Sequence, residues 1–376
     1  MALTILFQTS SFAEERQGLL LNAELTAEHD DNVLRKMKPI SDSSLKIAPE
    51  VQYLTHIGKH IFALDYQGEY SAYKDNNKLN YDDHDITLFA HLEHSLKISS
   101  EFKLSYKNEI EEPGTNNSTS LFIQEFNQTD KKQASAKLFY GTKQSIGQLV
   151  FGLDHLESRY TNNSQGYRDL DRNKLTSTFF FRIAPKTRLL LQASIANYDY
   201  IKRNNALDQS SQETFYLTGV EWDITAKTSG TFKLGYQGKD FDKNAYSDIT
   251  GLSYMLDMTW KPNTYSKIKI GASRLTQESS QLFAGAFVTT SYSIDAEHEI
   301  TARTKLKAAY TYDNDDIVTI RNRTDKLHNI KLGINHSLLT WLNISFDYRY
   351  IERTSDFNIY EFKTNIINFS LTTKFK

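Results

Sequence analysis

Three acidic clusters are the first candidates for chemistry in this sequence: Asp30-Asp31-Asn32, Asp82-Asp83-His84-Asp85 and Asp313-Asn314-Asp315-Asp316. Carboxylate and amide oxygens so spaced are the donors that a hard cation such as Ca²⁺ takes, and a bound ion could bridge anionic lipopolysaccharide. None follows the ligand order of an EF-hand loop, so Asp82, Asp83, Asp313 and Asp315 stand as weak metal candidates beside the plainer reading of solvated acidic loops. Arg35, Lys36 and Lys38 could meet lipopolysaccharide phosphates or form a solvated basic patch. His94 and His155 fall on the lipid-facing register and raise the question of a surface Ser-His pair; interfacial side chains explain them better, and the chain is read as non-enzymatic. Cysteine is absent, which removes disulfides, thiolate metal sites and thiol nucleophiles together. No zinc helix motif, phosphate-binding glycine loop or nucleophile elbow occurs, and no cofactor is expected.

The elements that carry these residues are strands. From Gly18 to Phe375 segments of apolar/polar alternation are separated by polar gaps, and alternation at period 2 marks strands with two unlike faces. Leu342, Ile344, Phe346, Tyr348 and Tyr350 share one face, with Asn343, Ser345, Asp347 and Arg349 on the other. Helical spacing is sustained nowhere, and no apolar run approaches the roughly 18 residues of a membrane helix. The pattern gives about 18 strands, an even number that returns both ends to one side. Their connections alternate in length: the long gap 28–43, the turn 56–60, the long gap 74–84, the short 97–100. Long loops outside the cell and short turns in the periplasm are the rhythm of an up-and-down, antiparallel transmembrane β-barrel of the outer-membrane type, an all-β fold. A β-propeller or soluble sandwich competes poorly, because the polar half of each strand carries Lys, Glu, Asp and Gln that such a core could not bury unpaired.

Composition agrees. The chain has 376 residues with 22 Tyr and 22 Phe, and interleaves 44 Lys+Arg with 46 Asp+Glu for a net charge of -2. Nucleic acid is not an expected partner, since it requires a concentrated basic surface. Residues 1–13 hold an apolar stretch from Ala2 to Phe7 and then Ser11-Phe12-Ala13, a small-x-small ending of the kind a signal peptidase cuts. They read as the remnant of a signal peptide, leaving 14–376 as one barrel domain.

The barrel topology sorts the remaining residues. Trp222, Trp260 and Trp341 all fall at periplasmic strand ends, as a girdle whose rings sit in the apolar zone and whose polar tips stay wet. Pore-facing positions of the early strands carry an acidic wall, Glu24, Glu50, Asp65, Glu69, Asp85 and Glu93. Later strands carry a basic wall, Lys233, Lys239, Lys267, Lys269, Lys305, Lys307 and Lys331. If neighbouring charges do not cancel, the two walls set up a field across the pore. The loop 111–132 is the candidate plug or lid, with a free-standing loop as its alternative. Ile367, Phe369, Leu371 and Phe375 make the apolar face of a last strand that resembles the C-terminal strand recognised by the outer-membrane barrel assembly machinery, except that Lys376 follows the final aromatic.

Several stretches resemble, in order, the EpsL-like barrels of exopolysaccharide and capsule loci, the putative β-barrel porin 2 family. They include Leu25-Thr-Ala-Glu-His-Asp-Asp-Asn-Val33, Ile47-Ala-Pro-Glu50, Tyr81-Asp-Asp-His84, Asp169-Leu-Asp-Arg-Asn173 and Ile183-Ala-Pro-Lys-Thr187. The most specific block runs from 219 to 265 and contains Gly219-Val-Glu-Trp-Asp-Ile-Thr-Ala-Lys-Thr-Ser-Gly230, Leu234-Gly-Tyr-Gln237, Gly251-Leu-Ser-Tyr254 and Trp260-Lys-Pro-Asn-Thr-Tyr265. The resemblance implies an outer-membrane pore that exports a polysaccharide, in contact with lipid and lipopolysaccharide and above a periplasmic polysaccharide-export protein. Two alternatives stay open on the residues themselves: a general diffusion porin for small solutes, and a non-conducting structural or adhesive barrel.

Overall fold

The computed structural model describes residues 17–115, 124–201, 208–225, 227–280, 284–318 and 322–375; the proposed signal remnant 1–13 lies outside them. The chain runs as β1 (Gly18–Asp30), β2 (Asp42–Ile57), β3 (His60–Tyr73), β4 (Tyr81–Glu93), β5 (Ile98–Ile110), β6 (Gln128–Tyr140), β7 (Gly147–Tyr160), β8 (Leu170–Ala184) and β9 (Thr187–Tyr200). It continues as β10 (Ser211–Thr225), β11 (Thr228–Phe241), β12 (Ile249–Trp260), β13 (Ser266–Glu278), β14 (Ala286–Thr301), β15 (Thr304–Ile317), β16 (Arg323–Leu339), β17 (Leu342–Ser355) and β18 (Phe362–Phe375).

Every strand pairs antiparallel with its chain neighbours, and β1 pairs with β18 from Leu21↔Phe375 to Asp30↔Ile366, so the 18-stranded sheet closes on itself. Closure removes the free edges, which in lipid would each cost several kcal/mol per unsatisfied backbone group. Ile367, Phe369 and Leu371 lie on the outer face of that closing pair.

The alternation runs opposite to that of a soluble protein. Outward Leu153 and Leu191 are each 61% exposed, whereas inward Thr26, Ser194 and Ser370 are buried. Such an apolar exterior is stable only against hydrocarbon. Apolar clusters form where the long loops fold over the rim. Val33, Leu34, Tyr73, Leu79 and Phe126 make one, Ala284, Phe287 and Ile317 a second, and Ile351, Phe362 and Ile366 a third.

The strands reach further into the loops than the periodicity suggests. The first long connections span 31–41 and 74–80, and that after β5 spans 111–127, so Lys131 and Lys132 belong to β6. Asp82, Asp83, Asp313 and Asp315 are therefore strand residues of β4 and β15 and not loop residues. Outer strand ends that continue above the bilayer need no apolar face, so polarity alone does not mark where a ladder stops.

Candidate functional site: the lumen and its outer mouth

Cross-strand register fixes which side chains look into the barrel. Of the expected acidic residues, Glu24, Glu50, Asp65, Glu69, Asp85 and Glu93 all occupy inward positions on β1 to β4. Their carboxylates are held mainly by neutral donors. Asn22 and Gln52 donate to Glu50 at 2.6 and 2.8 Å, and the same Gln52 amide donates to Asp65 at 2.7 Å. Glu24 accepts from Thr372 and Thr26 at 2.8 and 3.1 Å. Asp85 is paired with Lys107, Glu69 accepts from Tyr81, and Glu93 lies near the short-turn rim beside His91.

The expected basic residues separate into two groups. Lys233 faces inward and donates to Gln192 at 2.8 Å. Lys239 is fully buried, with Glu278 at 2.5 Å and the Tyr198 ring 3.8 Å from its ammonium, and so lines no open water. Lys267, Lys269, Lys305, Lys307 and Lys331 face inward on β13, β15 and β16. β14 sets carboxylates directly opposite the four on β13 and β15: Glu297 lies between Lys267 and Lys307, Asp295 faces Lys269, and Glu299 is 3.3 Å from Lys305. Asp295, Glu297 and Glu299 escaped the sequence reading, although Ile294, Ala296 and His298 alternate with them and were the available signal. The later half of the wall is thus interleaved in sign, and the sector from β1 to β4 has the larger excess of one charge.

The mouth is shaped by loops that turn inward. After β5, Glu111 accepts two hydrogen bonds from Arg168 at 2.8 Å each, and Asn162 and Asn163 of the β7–β8 connection hold Phe126 and Asn127. The next residue, Glu112, reaches Arg349 on β17 at 2.6 Å, and the Gly114 carbonyl accepts from Arg353 at 3.2 Å. Gly114 has a φ of +86°, and a Cβ there would meet the Phe362 ring and Arg35 side chain, so the loop passes this point only as glycine. Burial acts to raise the Glu112 pKa, but Arg349, with Arg35 farther off, more than offsets it and holds the carboxyl below the usual range. Arg168 is also half of a charge pair, and Glu111 keeps its guanidinium charged against the cost of burial. Across the mouth, β12 pairs with β13 only between Tyr254 and Trp260. Above that point β13 leans inward, so that Thr276 meets Gln237 and Glu278 meets Lys239 and Tyr200. Tyr167 then donates to the Ser280 carbonyl at 3.1 Å, joining the two inward loops.

The remaining candidates are occupied elsewhere. Asp30 is spent on Arg35, Thr364 and Asn32, and Asp31 on Thr364 and Asn365, stitching β1 to β18. Arg35 is accordingly buried and not available to lipopolysaccharide. Asp82 points outward beside His84, while its neighbour Asp83 points inward to the Ile110 amide, so the pair cannot share one ion. Asp313 is buried opposite Ser291, and Asp315 accepts from Thr289 at 2.6 Å. Among the described residues no group of three or more potential ligands could hold a metal. His94 lies in the turn after β4, off the lipid-facing ladder, with its Nε2 2.7 Å from Ser100 Oγ; His155 faces outward and bonds Asn173. Trp222, Trp260 and Trp341 lie at the ends of β10 and β12 and in the β16–β17 turn, all at the short-turn rim.

A closed barrel with an apolar exterior, a charged lumen and inward-folded outer loops defines an outer-membrane β-barrel of the porin class. The chain belongs to the putative beta-barrel porin 2 family, whose model matches residues 21–375, and it is accordingly a Gram-negative outer-membrane protein. Its fold is similar to that of a BenF-like porin from Pseudomonas fluorescens, with a TM-score of 0.54 at 12% identity over 95% of this chain and 99% of that one. OccK2 (OpdF) of Pseudomonas aeruginosa gives 0.53 at 10% identity, with 95% and 97% covered. OpdK of the same organism, solved with vanillate, gives 0.51 at 11%, with 95% and 99% covered. The search among curated proteins found no relative.

Proposed function

We propose that the chain is a passive channel for small polar solutes across the outer membrane. The observation that carries this reading is the loop after β5, which leaves its own wall and is fastened to β17 through Glu112–Arg349 and Gly114–Arg353. At this strand number a barrel interior is wide enough for water, so an inward loop pinned by charge sets the size limit at the mouth. A secreted polymer would have to leave through that same mouth. Polysaccharide export, implied by the family resemblance, draws no support from the family match or the solved porins, and the small-solute alternative fits the narrowed mouth better. The interior favours polar cargo because amides, hydroxyls and paired charges line it throughout.

Purified protein in liposomes tests the reading by osmotic swelling. Pentoses and hexoses should enter at measurable rates and long dextrans should not. Rapid passage of a long dextran would restore the polymer conduit, and no flux of any solute would leave the structural barrel.

A further inference from the structure

We propose that the lumen holds a two-point recess for small zwitterions, molecules carrying both an ammonium and a carboxylate, such as amino acids and short peptides. This rests on the channel reading above and names its preferred cargo. The recess measures about 280 Å³ and is lined from one side by Glu24, Glu28 and Glu69, with Lys46 among them, and from the other by Lys307. That volume lies at the lower end of small-molecule sites, roughly 300 Å³ upward. Between the charged ends lie mostly neutral polar groups, Asn335, Ser345, Asn368, Ser370 and Thr372, with Ile334 at the edge and the Asp347 carboxylate leaning over Gly333.

The two ends differ in how their charge is used. Glu28 is 3.0 Å from Lys46, and the same ammonium is 3.9 Å from Glu69, so those two carboxylates share a cation. Among the described residues Glu24 has the hydroxyls of Thr26 and Thr372 and no cation within 4.0 Å, so its carboxylate is held in place without a counter-charge. Lys307 has no carboxylate within 4.0 Å among the described residues, although register places Glu297 on one side of it and Gly333, then Asp347, on the other. A fixed anion and a fixed cation on opposite sides of a polar recess match a solute whose own charges are separated. They mismatch one of a single sign, which meets repulsion at one end.

Single-channel recording in planar bilayers tests this with glycine betaine, glycylglycine, a pentose and choline as probes. The zwitterions should interrupt the current of the wild-type channel, and Lys307→Gln and Glu24→Gln should each shorten those interruptions roughly threefold or more. Thr178→Ser, an inward position on β8 away from the recess, serves as a control and should keep them. Equal interruption by the pentose, interruption by choline alone, or unchanged residence in both charge variants would overturn the proposal while leaving the channel reading intact. A barrel that carries no current would remove both.

Discussion

Glu112 and Arg349 are 237 residues apart in the chain, and a 2.6 Å charge-assisted hydrogen bond joins them across the mouth of the barrel. The bond ties the start of the loop after β5 to the inner wall on β17. Neither residue is remarkable by type or by neighbours, and only closure of the sheet brings β17 within reach of a loop that starts on β5.

Loss of that anchor should widen the channel. Glu112→Gln removes the charge and keeps the shape, so conductance should rise and the size cut-off for neutral sugars should shift upward. The same change is expected on acidification of the wild type. Because the folded carboxyl titrates below its ordinary range, the anchor is complete above that range and is lost as pH falls through the lowered value. A conductance that rises at low pH in wild type and is already high and pH-independent in Glu112→Gln would establish the latch; identical pH profiles would refute it.

The register makes a sharper prediction about insertion. Ile344 and Leu234 face lipid, while Ser345 and Lys233 are their inward neighbours. An arginine at Leu234 should cost about 2 to 4 kcal/mol near the bilayer midplane and less at Ile344, three residues from the Trp341 girdle, whereas Ser345→Asn or Lys233→Gln meets water. Folding yields into lipid vesicles should fall for the first class only.

A third test concerns the other inward loop. Lys239 is fully buried and its ammonium is held by Glu278 and the Tyr198 ring. Glu213 on β10, directly across from Lys239, is a further buried carboxylate beside it, so a neutral replacement must include all three groups. Glu278→Leu should lower the urea midpoint, by less than the roughly 3 to 5 kcal/mol of a buried charge left wholly unpaired, and the triple change with Lys239→Met and Glu213→Gln should recover much of it. If the triple variant is no better than the single, the charge cluster is not what holds β13 inward.

Most of the barrel was legible because lipid imposes one rule along the whole chain: every second residue must be apolar. That rule gave the strand number, the long and short connections and the inward face of Glu24, Asp65, Lys267 and Lys305. It fails where lipid stops acting. The outer ends of β4 and β15 run above the bilayer, so Asp82 and Asp313 looked like loop residues. The inward tilt of β13 was hidden for a different reason. Thr276 and Glu278 satisfy alternation as well on one face as on the other, and their partners Gln237 and Lys239 lie two strands away.

The lumen charges allow a last prediction, and the structure determines which variants can test it. Reversing Lys267, Lys269, Lys305 and Lys307 to Glu would place new carboxylates against Asp295, Glu297 and Glu299 on β14. Folding and selectivity would then change together, because like charges directly opposite on neighbouring strands repel. Neutralisation avoids this. On β1 to β4, Glu24, Glu50 and Asp65 are held by amides and hydroxyls, so Gln or Asn can replace them with the same shape and most of the same hydrogen bonds. The excess negative charge of that sector should make the wild-type pore prefer cations, since fixed charge on low-dielectric walls raises the local concentration of counter-ions. The triple neutral variant should shift the reversal potential in a salt gradient toward anions, and the effect should shrink as salt rises and the Debye length falls toward about 3 Å at 1 M. Replacing the four lysines by Gln should move the potential the opposite way, toward cations, at unchanged folding yield. Reversal potentials that stay at the wild-type value in both sets would mean that neighbouring charges cancel along the whole wall and that selectivity is set at the mouth, by Glu112, Arg349 and the loop they hold.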